Sequence, residues 1–126
     1  MIDHVSIAVS DLAASAKFYD AVLAPLGLSR LAERPRTVGF GKRYPEFWLN
    51  LRDDMVPVAD GTGNHVALRA RTEEAVAMFH AEALANGGRC AGAPGPRQAE
   101  MTTYFGAFIL DPDGNKIETV NFPAAG

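Results

Sequence analysis

The chain opens on an alternating pattern. Across residues 2–9, Val5, Ile7 and Val9 fall on one face, and His4, Ser6 and Ala8 on the other. Period two with β-branched residues predicts a strand. Ser10 or Asp11 supplies an N-cap for a helix that follows. Along that helix Leu12, Ser15, Tyr19 and Val22 lie near one side, with Phe18 and Leu23 beside them. Pro25 shortens or kinks its last turn, and Gly27 is its natural stop. Weaker strands are predicted over 28–31, 37–41 and 46–51. In the last, Phe47, Leu49 and Leu51 share one face, and Trp48 and Asn50 the other. Gly61, Thr62 and Gly63 form a flexible break.

The pattern then restarts. Residues 64–70 read as a strand, and Thr72 as the cap of a helix with Glu73 and Glu74 in its first turn, where the helix dipole favours acids. Val76, Phe79, Ala83 and Leu84 form the apolar stripe, and Gly87–Gly88 ends the helix. Residues 89–103 carry prolines and glycines with little periodicity and read as a loop. A strand over 104–110, a tight Asp-Pro-Asp-Gly-Asn turn and a closing strand over 116–121 complete the chain.

The two halves repeat. At a shift of 61 residues His4 falls on His65, Val5 on Val66, Ile7 on Leu68, Phe18 on Phe79 and Leu23 on Leu84. Leu49 matched to Ile117 pairs Asn50 with Glu118 and Trp48 with Lys116, at a shift of 68. A duplicated strand–helix–strand order predicts an α+β fold: two tandem βαβββ modules, about 1–60 and about 64–122 of one 1–126 domain. They form an open, curved mixed sheet with the helices on its outer face. Val5, Ile7, Leu49, Val66, Leu68 and Ile117 then face the helices. His4, Asn50, His65 and Glu118 face the concave side.

Composition narrows the class. With 126 residues, 48% hydrophobic and 21% charged, the chain is ordinary globular usage and excludes intrinsic disorder. Net charge is −3 with no basic run, which argues against a nucleic-acid surface. The single cysteine, Cys90, excludes an internal disulfide framework and a CxxC zinc site. No apolar stretch has the roughly 20 residues of a membrane span, and the first residues lack a signal-peptide pattern, so a cytoplasmic location is expected.

Two imidazoles and one carboxylate on a concave face match three-ligand sites that leave metal positions open for substrate. His4, His65 and Glu118 are therefore candidate metal ligands. Imidazole and carboxylate suit Fe, Mn, Ni or Zn, and the sequence does not choose among them. The plainer alternative is three satisfied polar residues in a sheet. Trp48 with Tyr104, Phe105 and Phe108 is a candidate apolar wall, with Asn50 beside it. Arg97, Gln98 and Glu100 are polar candidates on a covering loop. His80 reads as amphipathic packing, Cys90 as an ordinary thiol, and Asp111 and Asp113 as turn formers.

The run MIDHVSIAVSDLAASAKFYDAVLAPLGL, the second copy GNHVALRA and the ending YFGAFILDPDGNKIETV resemble the vicinal oxygen chelate superfamily, the group of glyoxalase, bleomycin-resistance and extradiol-dioxygenase proteins. The resemblance spans residues 2–122. It implies paired βαβββ modules around a divalent metal held at the positions of His4, His65 and Glu118. It also implies a homodimer and a small-molecule substrate with vicinal oxygens. The activity implied is that of a lyase or dioxygenase. A metal-free dimer sequestering a drug or metabolite is the alternative, and a thiol transferase of the fosfomycin-resistance type a third. Glyoxalase I has a second glutamate where this chain is matched at Asn50. An amide takes up no proton near neutral pH, which argues against that isomerase.

Overall fold

The computed structural model describes residues 1–123. Strand β1 (Val5–Val9) leads into helix α1 (Leu12–Leu23), β2 (Ser29–Glu33), β3 (Thr37–Gly41) and β4 (Phe47–Leu51). The second half repeats the order with β5 (Val66–Arg69), α2 (Glu73–Ala85), β6 (Arg89–Gln98), β7 (Thr103–Leu110) and β8 (Lys116–Asn121). Each half makes a four-stranded mixed sheet, β1-β4-β3-β2 and β5-β8-β7-β6, in which the first and last strands pair in parallel. The fold is thus the α+β tandem βαβββ arrangement read from the repeat.

The helix boundaries follow from their caps. The Asp11 side chain accepts from the Ala14 amide at 3.0 Å, and Thr72 Oγ1 from the Ala75 amide at 3.0 Å, so each satisfies one orphan donor of the first turn. Pro25 sits at the start of a 3₁₀ turn, Ala24–Leu26, that ends α1. Both helices bury one face against the sheets and against each other. Phe18, Tyr19, Val22 and Leu23 of α1, and Val76, Phe79 and Ala83 of α2, meet Phe47, Leu49, Ile109 and Ile117. Leu84, expected in the stripe, is 46% exposed, because it lies past the edge of the face that Val76, Phe79 and Ala83 define.

Residues 89–98 are a strand rather than a loop. Two features reconcile β6 with its glycines and prolines. It is the outer strand of its sheet, so Pro94 and Pro96 need no partner on the open side. Its register also slips at Cys90/Gly92 and at Gly92/Gly95, and these bulges break the alternation that would have announced it.

The turn between β7 and β8 does more than reverse the chain. Asp111, 1% exposed, accepts from the Tyr19 hydroxyl at 2.7 Å and from the Asp113 and Asn115 amides at 2.9 and 2.8 Å. Asn115 Nδ2 donates across to the Ala8 carbonyl at 2.8 Å. Asp113 accepts from the Ser10 hydroxyl and amide at 2.5 and 3.0 Å. Asp111 and Asp113 therefore clasp the second module to the first. Burial raises the Tyr19 pKa well above its ordinary value, with the adjacent Asp111 adding to it, so the hydroxyl stays a donor.

Candidate functional site

The concave face of the second sheet is built by alternation along β8. Ile117 and Thr119 are buried toward the helices, so Lys116 and Glu118 project to the opposite side. Across the ladder Glu118 pairs with Phe108 of β7 and with Ala67 of β5, which places His65, Phe108 and Glu118 on one face. Glu118 is only 5% exposed. Its Oε2 accepts from the Tyr104 hydroxyl at 2.8 Å, and its Oε1 lies 3.4 Å from His65 Nε2. Tyr104 reaches it by lying across Gly106, where a Cβ would come within 2.9 Å of the Tyr104 ring and 3.0 Å of the Thr119 carbonyl. Hydrogen bonding to Glu118 is the first cause, and burial the second, that raises the Tyr104 pKa, so the phenol holds its proton and donates it to Oε2.

The His65 ring is oriented from behind. Its Nδ1 is 3.1 Å from the Gly63 carbonyl and its edge meets Phe108 at 5.5 Å between centroids. Donation from Nδ1 to that carbonyl leaves the Nε2 lone pair facing a carboxylate oxygen. Two acceptors so placed are reconciled by a cation shared between them, be it a proton or a metal ion. His4 has the same construction. Its Nδ1 is 2.7 Å from Asp3 Oδ1, and among the described residues Nε2 has no partner. A histidine held through Nδ1 by an oxygen acceptor with Nε2 left open is the pattern of a metal ligand. In kind, imidazole and carboxylate donors such as His65 and Glu118 suit a divalent ion.

The candidate residues fall into two groups. His65, Glu118, Tyr104, Phe108 and Arg97 come together on the second sheet. Arg97, expected on a loop, sits on β6. It donates to the Gly95 and Ala93 carbonyls at 3.1 and 2.8 Å, and its guanidinium stands 5.7 Å over the Phe108 ring. His4, Trp48 and Asn50 line a cavity of about 510 Å³ on the first sheet with Asp3, Ser6, Arg34 and Thr37. There Arg34 stacks at 5.1 Å on Trp48, and Asn50 donates to Ser6 and accepts from Arg52. His4 and His65 both line a further cavity of about 450 Å³ between the edges of β1 and β5. Among the described residues no group of three or more His, Cys, Asp or Glu side chains is gathered within reach of one metal ion. Gln98 and Glu100 are exposed on the outer strand and its turn, and Phe105 packs against the core rather than lining the site.

The ladders also move the repeat. Val5 pairs with Phe47, and its counterpart Val66 with Ile117, so the residue equivalent to Glu118 is Trp48, not Asn50. The facing survives, since the shift is two residues and side-chain direction has period two. The first module therefore carries an indole where the second carries its acid.

Comparison with known proteins gives a direct answer on kinship. The profile of the Glyoxalase/Bleomycin resistance protein/Dioxygenase superfamily matches residues 1–119. The chain belongs to this superfamily. A glyoxalase/bleomycin resistance protein from Albidiferax ferrireducens T118 is 33% identical, with a TM-score of 0.82 over 95% of this chain and 98% of that one. A glyoxalase-related enzyme from Fulvimarina pelagi shares the fold at 20% identity and a TM-score of 0.71, over 98% and 88% of the two chains. The genomically encoded fosfomycin resistance protein FosX from Listeria monocytogenes shares it at 16% identity and a TM-score of 0.69, over 98% and 93%. No curated protein sequence matches. The contacts that hold the candidate residues in place are not visible in the sequence. Here these are the Tyr104 hydroxyl on Glu118 and the Gly63 carbonyl on His65. Tyr104 was expected in an apolar wall, not as a hydrogen-bond donor to Glu118. Among the described residues no helix is long and apolar enough to cross a membrane.

The Tyr104 contact yields an expected result. Tyr104→Phe removes the donor to Glu118 Oε2 without changing the ring. Divalent-metal affinity, followed by titration calorimetry, is expected to fall about 10-fold to 100-fold, as for other contacts that support a ligand.

Proposed function

We propose that this chain is a metal-dependent enzyme of the glyoxalase/dioxygenase type, acting on a small substrate with two adjacent oxygens. His65 and Glu118, which face each other, would hold the ion; His4, carried on the first module and not gathered with them among the described residues of this one chain, is the third residue proposed for it. One observation carries the reading: His65 Nε2 and the Glu118 carboxylate face each other at 3.4 Å, each held from behind by a second residue. The chemistry a divalent ion supplies there is Lewis-acid stabilisation of the oxyanion that develops on the substrate. Tyr104 fixes the Glu118 carboxylate and keeps its own proton on Oη. Phe108 excludes water beside the pair, and the cavity lined by Trp48, Arg34 and Asn50 receives the rest of the substrate. Neither Trp48 nor Asn50 accepts a proton near neutral pH, so the reaction is not an isomerisation that needs a second carboxylate on the first module.

The test is equilibrium dialysis of the purified protein against Fe, Mn, Ni and Zn ions, with metal content read by mass spectrometry and assembly by light scattering. Stoichiometric binding of at least one of these ions to a homodimer is expected. A protein that binds none of the four overturns the reading in favour of metal-free sequestration of a ligand.

A further inference from the structure

The site just described does not use the cavity beside it. The segment joining the two modules passes over one end of the second sheet and lines with it a half-open cavity of about 360 Å³. Val58, Ala91 and Leu110 supply apolar walls; Arg89 and Lys116 supply two cations; Asp60 is the one carboxylate. Arg89, Leu110 and Lys116 form a single cross-strand row, Arg89 opposite Leu110 and Leu110 opposite Lys116, so both cations project from the concave face. Among the described residues neither is in an ion pair, even though Asp60 lines the same cavity. An ammonium and a guanidinium without an ion-pair partner around a half-open, partly apolar cavity favour an anion there.

Lys116 joins this cavity to the reactive pair. It precedes Glu118 by two residues on the same face, a spacing of about 7 Å. Its Nζ also lies 4.7 Å over the Phe108 ring, whose other neighbours are His65 at 5.5 Å and the Arg97 guanidinium at 5.7 Å. Phe108, with Lys116 Nζ over its ring and His65 at its edge, thus lies between the His65–Glu118 pair and the Arg89–Lys116 cavity.

We infer that the cavity is an anion subsite. It takes a carboxylate or phosphonate carried on an apolar body, about 7 Å or more from the substrate oxygens that approach His65 and Glu118. The assignment of the substrate's other end rests on the proposed metal-dependent reading; the binding of an anion at Arg89 and Lys116 does not.

The two claims are separated by working without metal. Protein stripped with a chelator is titrated with phenylacetate, benzylphosphonate and the neutral benzyl alcohol, using calorimetry and amide shifts of residues 58–64 and 116. The wild type is expected to bind at least one of the two anions more tightly than the alcohol, and the tighter one identifies which acid the site accepts. Lys116→Met and Arg89→Met are each expected to weaken that anion about tenfold and to leave the alcohol unchanged. Both side chains sit at the surface of the cavity, so both variants are expected to fold. Failure of both anions to outbind the alcohol, or an anion affinity unmoved by both substitutions, overturns the subsite. Metal content of the same proteins reports on the other claim. Metal retained while anion binding is absent overturns the subsite alone. Anion binding that depends on Lys116 in a protein that takes up no metal supports the subsite and overturns only the metal-dependent reading.

Discussion

Replacing His65 by alanine is expected to abolish stoichiometric divalent-metal binding while leaving the fold intact. The side chain is 38% exposed and its polar contacts are the Gly63 carbonyl and Glu118, so its loss opens no core cavity. What disappears is a donor whose Nε2 is aimed at a carboxylate. The remaining carboxylate keeps its Tyr104 hydrogen bond and would be left as the one donor of the pair. The drop should therefore exceed the roughly 10- to 100-fold that a lost supporting contact costs. Mass-spectrometric metal content after dialysis, with circular dichroism as the check on folding, decides it. Unchanged metal content in a folded variant sinks the ligand assignment of His65.

Asp111→Ala is expected to cost the larger share of stability, about 2–4 kcal/mol in urea unfolding. The substitution strands the fully buried Tyr19 hydroxyl and frees the Asn115 side chain that reaches the Ala8 carbonyl. The penalty falls on both modules at once, since this turn is where they are tied. The carboxylate also gives a pH signature of unusual sign. Burial raises the Asp111 pKa, and the hydrogen bonds from Tyr19, Asn115 and Asp113 offset only part of that rise. The folded protein thus holds the proton more tightly than the unfolded chain. Stability from this group is fully present below the unfolded carboxylate's value of 3.8 and is lost as pH rises through the raised folded value. Unfolding free energies of the wild type and Asp111→Asn, compared over a pH series, should show the wild type gaining on the variant as the solution is acidified. A difference that shrinks on acidification would reverse the assignment.

Much of this was legible from residue order because each element rests on a local rule. The caps at Asp11 and Thr72, the alternation through Val5, Ile7 and Val9, and the match of His4 with His65 needed no tertiary information. The misses have physical causes. Strand β6 was hidden because an outer strand tolerates Pro94 and Pro96 and because two bulges erase the period. The Asn50–Glu118 match was one rung off since aligning Leu49 with Ile117 by residue type is a two-residue error, invisible to any argument from which side a residue faces. The clasp at Asp111 could not be seen because Tyr19 lies 92 residues away, and a turn-forming aspartate looks alike whether or not it is also buried. For the site, the sequence revealed which side chains share a concave direction. It did not reveal that His4 is turned to Asp3, or that the cations Lys116 and Arg97 flank Phe108.

The indole at position 48, standing where the sister module has its acid, bears on how such a chain diversifies. His65 and Glu118 lie in one half, while side chains at 34, 48 and 50 line a cavity in the other, where on the proposed reading they would set which molecules are admitted. Substitutions on the two faces share no direct partners, so their effects should combine nearly independently. On that reading, selectivity can change on the first module while the pair on the second stays intact.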